Sequence, residues 1–324
     1  MKKKITLRSI AADFGVSSTT VLRALKGSPN VRIDLQKKII HYAARHKYSL
    51  PNHRTGNIAI IIPNMTLQYY LETMLRALYL ELSTAGFHTF ILTEADVEYM
   101  NEYEYDGVLS TTWIPGFEKS FPKAHILPCV SVNTLGNQME KIISVVSDDF
   151  SGITEGMNYL YQAGCRRIFF MLGSTMVNLG NSQRENAFIQ FCKSHNLPFE
   201  SFISKDTRYE SIQSSVEVAL KLNADAFFCA NEGISQKVYY VLHQHGLRIP
   251  EDISVLGLEA NDEGQYMIPP LTALHQDFEQ LAHESVLTLQ RLIRGEKVRG
   301  NLVVPCKFKE RASVRKNNKK SNNS

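Results

Sequence analysis

Residues 5–31 read ITLRSIAADFGVSSTTVLRALKGSPNV, and this stretch decides how the first 50 residues fold. Apolar residues recur at helical spacing on both sides of Gly15, the residue type that best ends a helix in a left-handed turn. Thr6 and Ser17 stand where hydroxyl side chains cap helix N-termini. A third amphipathic pattern runs over residues 34–46. The stretch therefore predicts two short helices joined by a tight turn, followed by a third helix that closes a small core.

The charge of the chain is divided unevenly. Residues 1–54 hold twelve Lys and Arg and two acids, which gives +10, whereas the whole chain carries +4, so the remainder carries −6. The three-helix head is thus a cationic module attached to an acidic body, and the direct electrostatic interpretation is a polyanionic partner. The alternative is a solvated basic surface without a partner.

The second predicted helix carries short polar residues at its start. Ser18, Thr19 and Thr20 offer hydroxyl groups, and Arg23 follows one turn later on the same face. A recognition helix in the DNA major groove presents such groups near its N-terminal end, because base edges offer hydrogen-bond donors and acceptors there. The pattern predicts double-stranded DNA as the partner of the head. The alternative is a capped helical hairpin without a DNA role.

From residue 58 onward, buried-strand runs alternate with amphipathic helices. Apolar runs of this kind are typical of parallel sheets that are covered on both faces. The predicted fold class is α/β: an all-α head followed by a body of two doubly wound parallel-sheet lobes. A small ligand is expected between the lobes, at the carboxyl ends of the strands. The strand runs lie at 58–63, 88–92, 106–110, 125–132, 145–149, 166–172, 224–230 and 253–258.

Several other functions lack their sequence signatures. The sequence contains none of the strings G-x-G-x-x-G, G-x-x-x-x-G-K-[ST], G-x-S-x-G or H-E-x-x-H. We therefore expect no cofactor, no catalytic residue and no metal. Its five cysteines are widely spaced, as is typical of reduced core thiols. The apolar runs are strand-sized and no secretion signal follows MKKK, so we expect a cytoplasmic protein without a membrane span. Asp148 and Asp149 are expected to have a structural role at a helix N-terminus.

The head resembles a known family residue by residue. The pattern T-L-x-x-I-A-x-x-x-G-V-S-x-x-T-V-x-R-A-L-x-G, followed by P-N-V, is similar to the LacI/GalR family of bacterial transcription regulators. The resemblance aligns Ser18, Thr19 and Arg23 with base-reading positions, and Thr6, Ser17 and Thr20 with capping or DNA-backbone positions. Lys26 and Arg54 are further expected DNA contacts. Leu22 and Arg32 depart from the family pattern, in which serine is usual at both positions.

The same resemblance covers the body nearly to residue 314 and implies a periplasmic-binding-protein-like fold that binds a saccharide. The motif S-x-R-x-x-A-F at 182–188 implies that Arg184 grips ligand hydroxyls or carboxylates with two N–H groups. Glu259 stands where the family usually has an aspartate. The implied effector contacts are Tyr69, Tyr70, Asn133, Arg184, Asn231, Glu259, Gln276 and Phe278. Simpler roles stay open: the tyrosines as helix core, Arg184 as a surface ion-pair partner and Asn231 as a helix cap.

We divide the sequence into a helix-turn-helix domain (1–50), a shortened linker (51–57), a two-lobed ligand-binding and dimerisation domain (58–314) and a disordered basic tail (315–324). The linker contains the Pro51-Asn52 pair that opens a hinge helix in the family, but it is too short for that helix, so we predict none and no side-chain intercalation. The chain is expected to cross between the lobes near 133–149 and 259–276. Because the tail lacks a leucine-rich helix, a homodimer is the expected working unit.

Together these features predict a sequence-specific DNA-binding regulator. We expect a repressor of carbohydrate-utilisation genes that binds a pseudo-palindromic operator and responds to a sugar or sugar phosphate. The alternative is an α/β sugar-binding or sugar-modifying protein without DNA regulation.

Overall fold

The computed structural model describes residues 5–25, 28, 30–46, 48, 55–63, 68–93, 95–96, 105–111, 127–134, 142–172, 179–203 and 208–316. The described helices are α1 (Leu7–Phe14), α2 (Ser18–Leu25), α3 (Ile33–Arg45), α4 (Gln68–Thr84), α5 (Asp149–Gln162), α6 (Leu179–Ser194), α7 (Tyr209–Lys221), α8 (Ile234–Gln244) and α9 (Phe278–Ile293). The strands are β1 (Asn57–Ile62), β2 (His88–Thr93), β3 (Gly107–Ser110), β4 (Cys129–Val132), β5 (Ile143–Asp148), β6 (Ile168–Leu172), β7 (Glu200–Ile203), β8 (Ala226–Cys229), β9 (Ser254–Glu259), β10 (Thr272–His275), β11 (Leu302–Pro305) and β12 (Lys307–Lys309). Two compact units result: unit 1 comprises Met1–Val146 and Glu279–Leu302, and unit 2 comprises Ser147–Phe278 and Val303–Ser324.

Helix α1 begins and ends at the capping residues that the sequence indicates, and α2 begins at the indicated cap. Thr6 Oγ1 accepts the backbone N–H of Ser9 at 3.1 Å, and Ser9 Oγ accepts that of Thr6 at 2.9 Å, so the two residues cap each other. Gly15 takes the left-handed conformation (φ 63°) that ends α1. Ser17 Oγ accepts the backbone N–H of Thr20 at 3.0 Å and starts α2. The core of the head consists of Ile10, Ala11, Val21, Ala24, Leu25, Val31, Ile39, Ile40 and Ala43.

The C-terminal end of the linker is anchored to unit 1. Asp106, which directly precedes β3, accepts the backbone N–H groups of Thr55 and Gly56 at 2.8 Å each. Asn57 already belongs to β1, one residue before the predicted strand. Residues 51–54, including Arg54, lie outside the described residues, as does Lys26, so the absence of a hinge helix stays a prediction.

The first sheet has the strand order β11-β5-β4-β3-β1-β2. All ladders among β1 to β5 are parallel. Residues 58–62 of β1 have almost no exposed surface, as expected for a strand covered on both faces. Helix α9 packs so closely on β3 that a Cβ atom on Gly107 would lie 2.8 Å from Leu289 Cδ1. A glycine at this position lets the helix approach the sheet.

The second sheet has the order β12-β10-β9-β8-β6-β7, in which only β12 runs antiparallel to its neighbour β10. Helices α5 and α6 cover one face around Phe170, Phe188 and Phe228, and α7 and α8 cover the other face around Val216 and Val238. In both sheets the first strand has the second on one side and the third on the other, which is the doubly wound order. The predicted α/β fold class is confirmed.

The structure contains elements that the strand and helix patterns did not indicate: β7, β10, β11, β12, α7 and α9. The chain passes from unit 1 to unit 2 after Val146, inside the interval 133–149. The next passage follows Phe278 and therefore lies after the expected interval 259–276, because the buried Phe278 still belongs to unit 2 whereas the rest of α9 belongs to unit 1. A third passage follows Leu302; it was not expected, and it brings β12 beside β10.

The start of the expected tail is ordered in unit 2, which corrects its boundary. Arg315 Nη2 lies 3.6 Å from the carboxylate of Asp225 and donates to the carbonyl of Gly164 at 3.4 Å. These contacts fix Arg315 to the sheet edge where β8 begins. Residues 317–324 lie outside the described part of the chain.

Candidate functional site

The outer face of α2 carries the residues expected to read DNA. Thr19 and Arg23 are exposed, and Ser18 is partly exposed beside them. On the opposite face Val21 and Ala24 are fully buried and hold α2 against the head core. The helix therefore presents hydroxyl and guanidinium groups outward on a rigid support, as readout of base edges requires.

Thr6 and Ser17 serve as helix caps in the structure, and Thr20 contacts Ser17. Thr20 Oγ1 lies 2.9 Å from Ser17 Oγ, within hydrogen-bond distance, and its backbone N–H binds the same oxygen. These hydroxyls fix the start of α1 and α2, which is the capping alternative that the family resemblance allows for them. Leu22, the departure from the family pattern, is partly buried.

The head presents a basic surface. Its described Lys and Arg side chains are exposed, and none of them forms an ion pair among the described residues. Unpaired surface cations attract the phosphate backbone of a duplex and release its counterions. These residues are Arg8, Arg23, Arg32, Lys37, Lys38 and Arg45.

A buried ion pair lies at the carboxyl edge of the second sheet. Arg184 of α6 donates from Nε to Asp149 Oδ2 at 2.9 Å, and its Nη2 lies 2.9 Å from the same oxygen. Nη1 donates to the carbonyl of Ala230, directly after β8, at 2.9 Å. Both charged side chains are less than 10 % exposed. Since β6 and β8 flank the point where the strand order reverses, the pair lies where doubly wound folds bind ligands.

Gln276, directly after β10, completes this network. Its Nε2 donates to Asp149 Oδ1 at 2.7 Å. Its Oε1 is buried and has no hydrogen-bond partner among the described residues. A buried carbonyl without a partner is costly, so this atom calls for a donor that the described residues do not supply. We refer to Arg184, Asp149, Gln276, Ala230 and Glu232 as the Arg184 site.

Glu232 gives the Arg184 site an acid with an unusual protonation equilibrium. It lies two residues after Ala230 and is partly buried. Desolvation raises the pKa of Glu232 to about 7; the Arg184 guanidinium acts in the opposite direction, and the Asp149 carboxylate adds to the rise. The sequence analysis did not single out Glu232 and gave Asp149 only a structural role, although both follow strands at the edge where ligands bind.

Glu259 is held in a separate ion-pair cluster of unit 2. Arg311 Nη2 lies 2.8 Å from Glu259 Oε1, and Nη1 donates to Oε2 at 3.3 Å. Lys309 pairs with Asp262, and His275 Nδ1 lies 3.9 Å from Glu259 Oε1. Glu259, Asp262 and His275 bring three potential metal-ligand atoms within 4.8 Å, but the two cations already neutralise these acids. The effector contact expected of Glu259 stays a prediction.

The other expected effector residues are divided between the units. Asn231 and Phe278 lie in unit 2, the first between Ala230 and Glu232 and the second fully buried at the start of α9. Asn133 lies in unit 1 with φ 52°, and Tyr70 of α4 is partly buried there. The side chain of Tyr69 lies outside the described residues. In unit 2 the structure thus brings Arg184, Asn231 and Gln276 to one sheet edge.

Comparisons with known proteins agree with this architecture. Residues 157–314 match the family described as a periplasmic binding protein-like domain. The chain is 25 % identical over 315 residues to the probable HTH-type transcriptional repressor ExuR of Bacillus subtilis, a match that covers 89 % of this chain and 91 % of that protein. The solved complex of the transcriptional regulator CelR with cellobiose has a TM-score of 0.71, is 22 % identical and covers 95 % and 99 % of the two chains. The lac repressor dimer bound to operator and an anti-inducer has a TM-score of 0.72, is 20 % identical and covers 97 % and 100 %.

The fold and the two sites define a class of protein: a basic helix-turn-helix head joined to a periplasmic-binding-protein-like body. Within that class, the chain is similar in fold to transcriptional regulators of the LacI family, such as the lac repressor. None of the helices that the structure describes combines the length and apolar composition that a membrane span requires.

Proposed function

We propose that the chain is a sequence-specific DNA-binding repressor of carbohydrate-utilisation genes. The observation that carries the proposal is the exposed face of α2, where Thr19 and Arg23 project from a capped helix. The described Lys and Arg side chains of the surrounding head form no ion pair among the described residues. Short hydroxyl groups and a guanidinium on such a helix match the hydrogen-bonding groups of major-groove base edges. The protein acts in the cytoplasm, where its operator lies.

The Arg184 site binds the effector. It offers a guanidinium, an amide and a carboxyl group at the strand edge where doubly wound sheets bind ligands. The names of relatives that bind cellobiose or act on ribose operons support a saccharide. The effector changes the affinity for DNA only if it binds two arrangements of the protein with different affinity.

Two copies bind one pseudo-palindromic operator. A single helix-turn-helix buries too little surface for specific affinity, whereas a two-fold dimer places two recognition helices about one helical turn apart. The lac repressor, a structural neighbour, is a dimer on its operator.

A sugar-modifying enzyme is the alternative function. Glu232 supports it, because a carboxyl group with a pKa of about 7 can act as a general acid at neutral pH. The names of the relatives favour regulation over catalysis. If incubation of a sugar with the full chain yielded a product, a sugar-modifying enzyme would replace the regulator as the proposed function.

The head is tested by selecting operators from randomised duplexes with the full chain. Arg23→Ala is expected to lower the preference for the selected site over unrelated DNA by about tenfold or more, because a bidentate guanidinium discriminates bases. Arg45→Ala, a control in the last turn of α3, removes an equally exposed cation and leaves the ratio unchanged. If Arg23→Ala kept the base preference of the wild type, α2 would not be the helix that reads the major groove.

The effector arm of the same experiment uses a double variant. Arg184→Ala alone would leave Asp149 buried without its counter-charge, which destabilises the fold. Asp149→Asn combined with Arg184→Gln keeps the network neutral and hydrogen-bonded. We expect this variant to bind the operator normally and to lose the response to sugars; a retained response would exclude the Arg184 site.

A further inference from the structure

The Arg184 site offers an anionic ligand no unpaired guanidinium. The positive charge of Arg184 is already opposed by Asp149 at 2.9 Å. Three other described cations near the carboxyl edge of the second sheet are matched in the same way. These pairs are Arg311 with Glu259, Lys309 with Asp262, and Lys307 with Asp277. A phosphate or carboxylate would therefore have to displace an existing acid.

Lys237 is the lysine of this region without an acidic partner in the described part of the chain. Its Nζ donates to the carbonyl of Gly233 at 3.2 Å, one turn earlier on α8. Burial lowers the pKa of Lys237. Glu232 precedes Gly233 and contributes a charge of the opposite sign. The positive charge of Lys237 is thus accompanied in this loop by an acid.

The unused hydrogen-bonding groups of the Arg184 site call for both a donor and an acceptor. The guanidinium of Arg184 has five N–H groups, and its contacts to Asp149 and Ala230 leave at least two of them without a described partner. Gln276 Oε1 is a fully buried acceptor without a described partner. A hydroxyl group can accept from the first and donate to the second, whereas a phosphate dianion only accepts.

We propose that the effector is an uncharged polyhydroxyl molecule and that the Arg184 site rejects the phosphorylated or carboxylated form of the same sugar. The proposal rests on the proposed function, since it specifies the ligand of the effector site. Hydroxyl groups can accept hydrogen bonds from Arg184 and donate one to Gln276. An anion would instead be repelled by Glu232 and would compete with Asp149 for Arg184.

The test compares matched sugars on the full-length chain at pH 7.5 and constant ionic strength. The probes are ribose with ribose 5-phosphate, glucose with glucose 6-phosphate and glucuronate, and cellobiose with cellobionate, each titrated by calorimetry and thermal shift. At least one neutral sugar is expected to raise the melting temperature, and its anionic counterpart to bind more weakly by about tenfold or more. The proposal fails if an anionic member binds as tightly as its neutral partner, or if no neutral member binds.

Two variants connect the selectivity to the site. Glu232→Gln is expected to reduce the ratio between the affinities for the neutral sugar and its anionic partner, because the amide no longer repels an anion. Glu251→Gln, an exposed acid of the same unit, serves as the control and changes neither value. If Lys237→Ala abolished binding of an anionic sugar that outcompetes the neutral one, the effector would be an anion held by that lysine.

Operator selection on the same preparations separates this inference from the proposed function. If the chain showed a clear base preference but bound anionic sugars more tightly, the proposed regulatory function would stand and the proposal of an uncharged effector would be refuted. Absence of base preference would overturn the regulator, while the sugar comparison would still decide which charge the Arg184 site accepts.

Discussion

A single carboxyl group, Glu232, connects the chemistry of the effector site to the stability of unit 2. Its ordinary pKa is 4.5, and desolvation raises the pKa to about 7 in the folded protein. The folded state thus holds this proton more tightly than the unfolded chain does. Stability is highest below the unfolded pKa and falls as the pH rises from about 4.5 through about 7, which is the reverse of the behaviour of a salt-bridged acid.

Glu232→Gln is expected to remove this loss of stability. Between pH 5 and pH 8 the wild-type chain should lose about 1–3 kcal/mol more unfolding free energy than the variant does, because the amide carries no charge to desolvate. Urea unfolding at the two pH values measures the difference, with Glu251→Gln as a control that should follow the wild type. Parallel pH profiles for wild type and Glu232→Gln would show that the acid is solvated.

Individual residues also mark the limit of what the sequence could predict. The motifs indicated Arg184 and Gln276 as site residues, and the structure brings both to one carboxylate. Their common partner Asp149 is 35 residues from Arg184 and 127 residues from Gln276. The pairing of Glu259 with Arg311 likewise spans 52 residues. Such contacts follow from strand order, which no local pattern contains.

At the scale of elements, the reliable predictions were those with a local cause. Apolar runs indicated β1, β6 and β8, and hydroxyl caps with a glycine turn indicated α1 and α2. Strands β10 and β12 were missed because their four and three residues are too short for a period to show. Each forms on the edge of a neighbouring strand: β10 pairs with β9, and β12 pairs with β10.

The packing of α5 against the second sheet depends on Gly156. A Cβ atom at this position would lie 2.9 Å from two ring carbons of the fully buried Phe228 and 3.3 Å from Leu256 Cδ2. Gly156→Ala is therefore expected to destabilise the chain by about 1–2 kcal/mol, since overpacking outweighs the gain of about 1 kcal/mol in helix propensity. Asn158→Ala, on the exposed face of α5, is the matched control.

Chemical denaturation of both variants measures this effect. The control should be neutral or slightly stabilising, because alanine favours the helix without entering the interface. If Gly156→Ala were as stable as Asn158→Ala, the helix could shift away from the sheet at no cost. The close approach would then be a consequence of the small residue and not a requirement of the fold.

At the scale of the whole molecule, the uneven charge predicts which function depends on salt. The residues up to 54 carry +10 and the remainder carries −6. DNA binding by the head should release counterions, whereas binding of an uncharged effector in unit 2 should not. The two activities of one chain are thereby separable by ionic strength alone.

The logarithm of operator affinity is expected to fall with the logarithm of salt concentration with a slope of about −4 to −10 for two heads on one operator. Fluorescence anisotropy on the selected duplex between 50 and 200 mM KCl measures it, and calorimetry of the effector over the same range should show almost no change. Lys26→Ala, directly after α2, should reduce the magnitude of the slope by about two, one for each head, whereas Lys221→Ala on α7 of unit 2 should leave it unchanged. A wild-type slope near zero would mean that the basic head is merely a solvated surface, since neutralised phosphates must release their counterions.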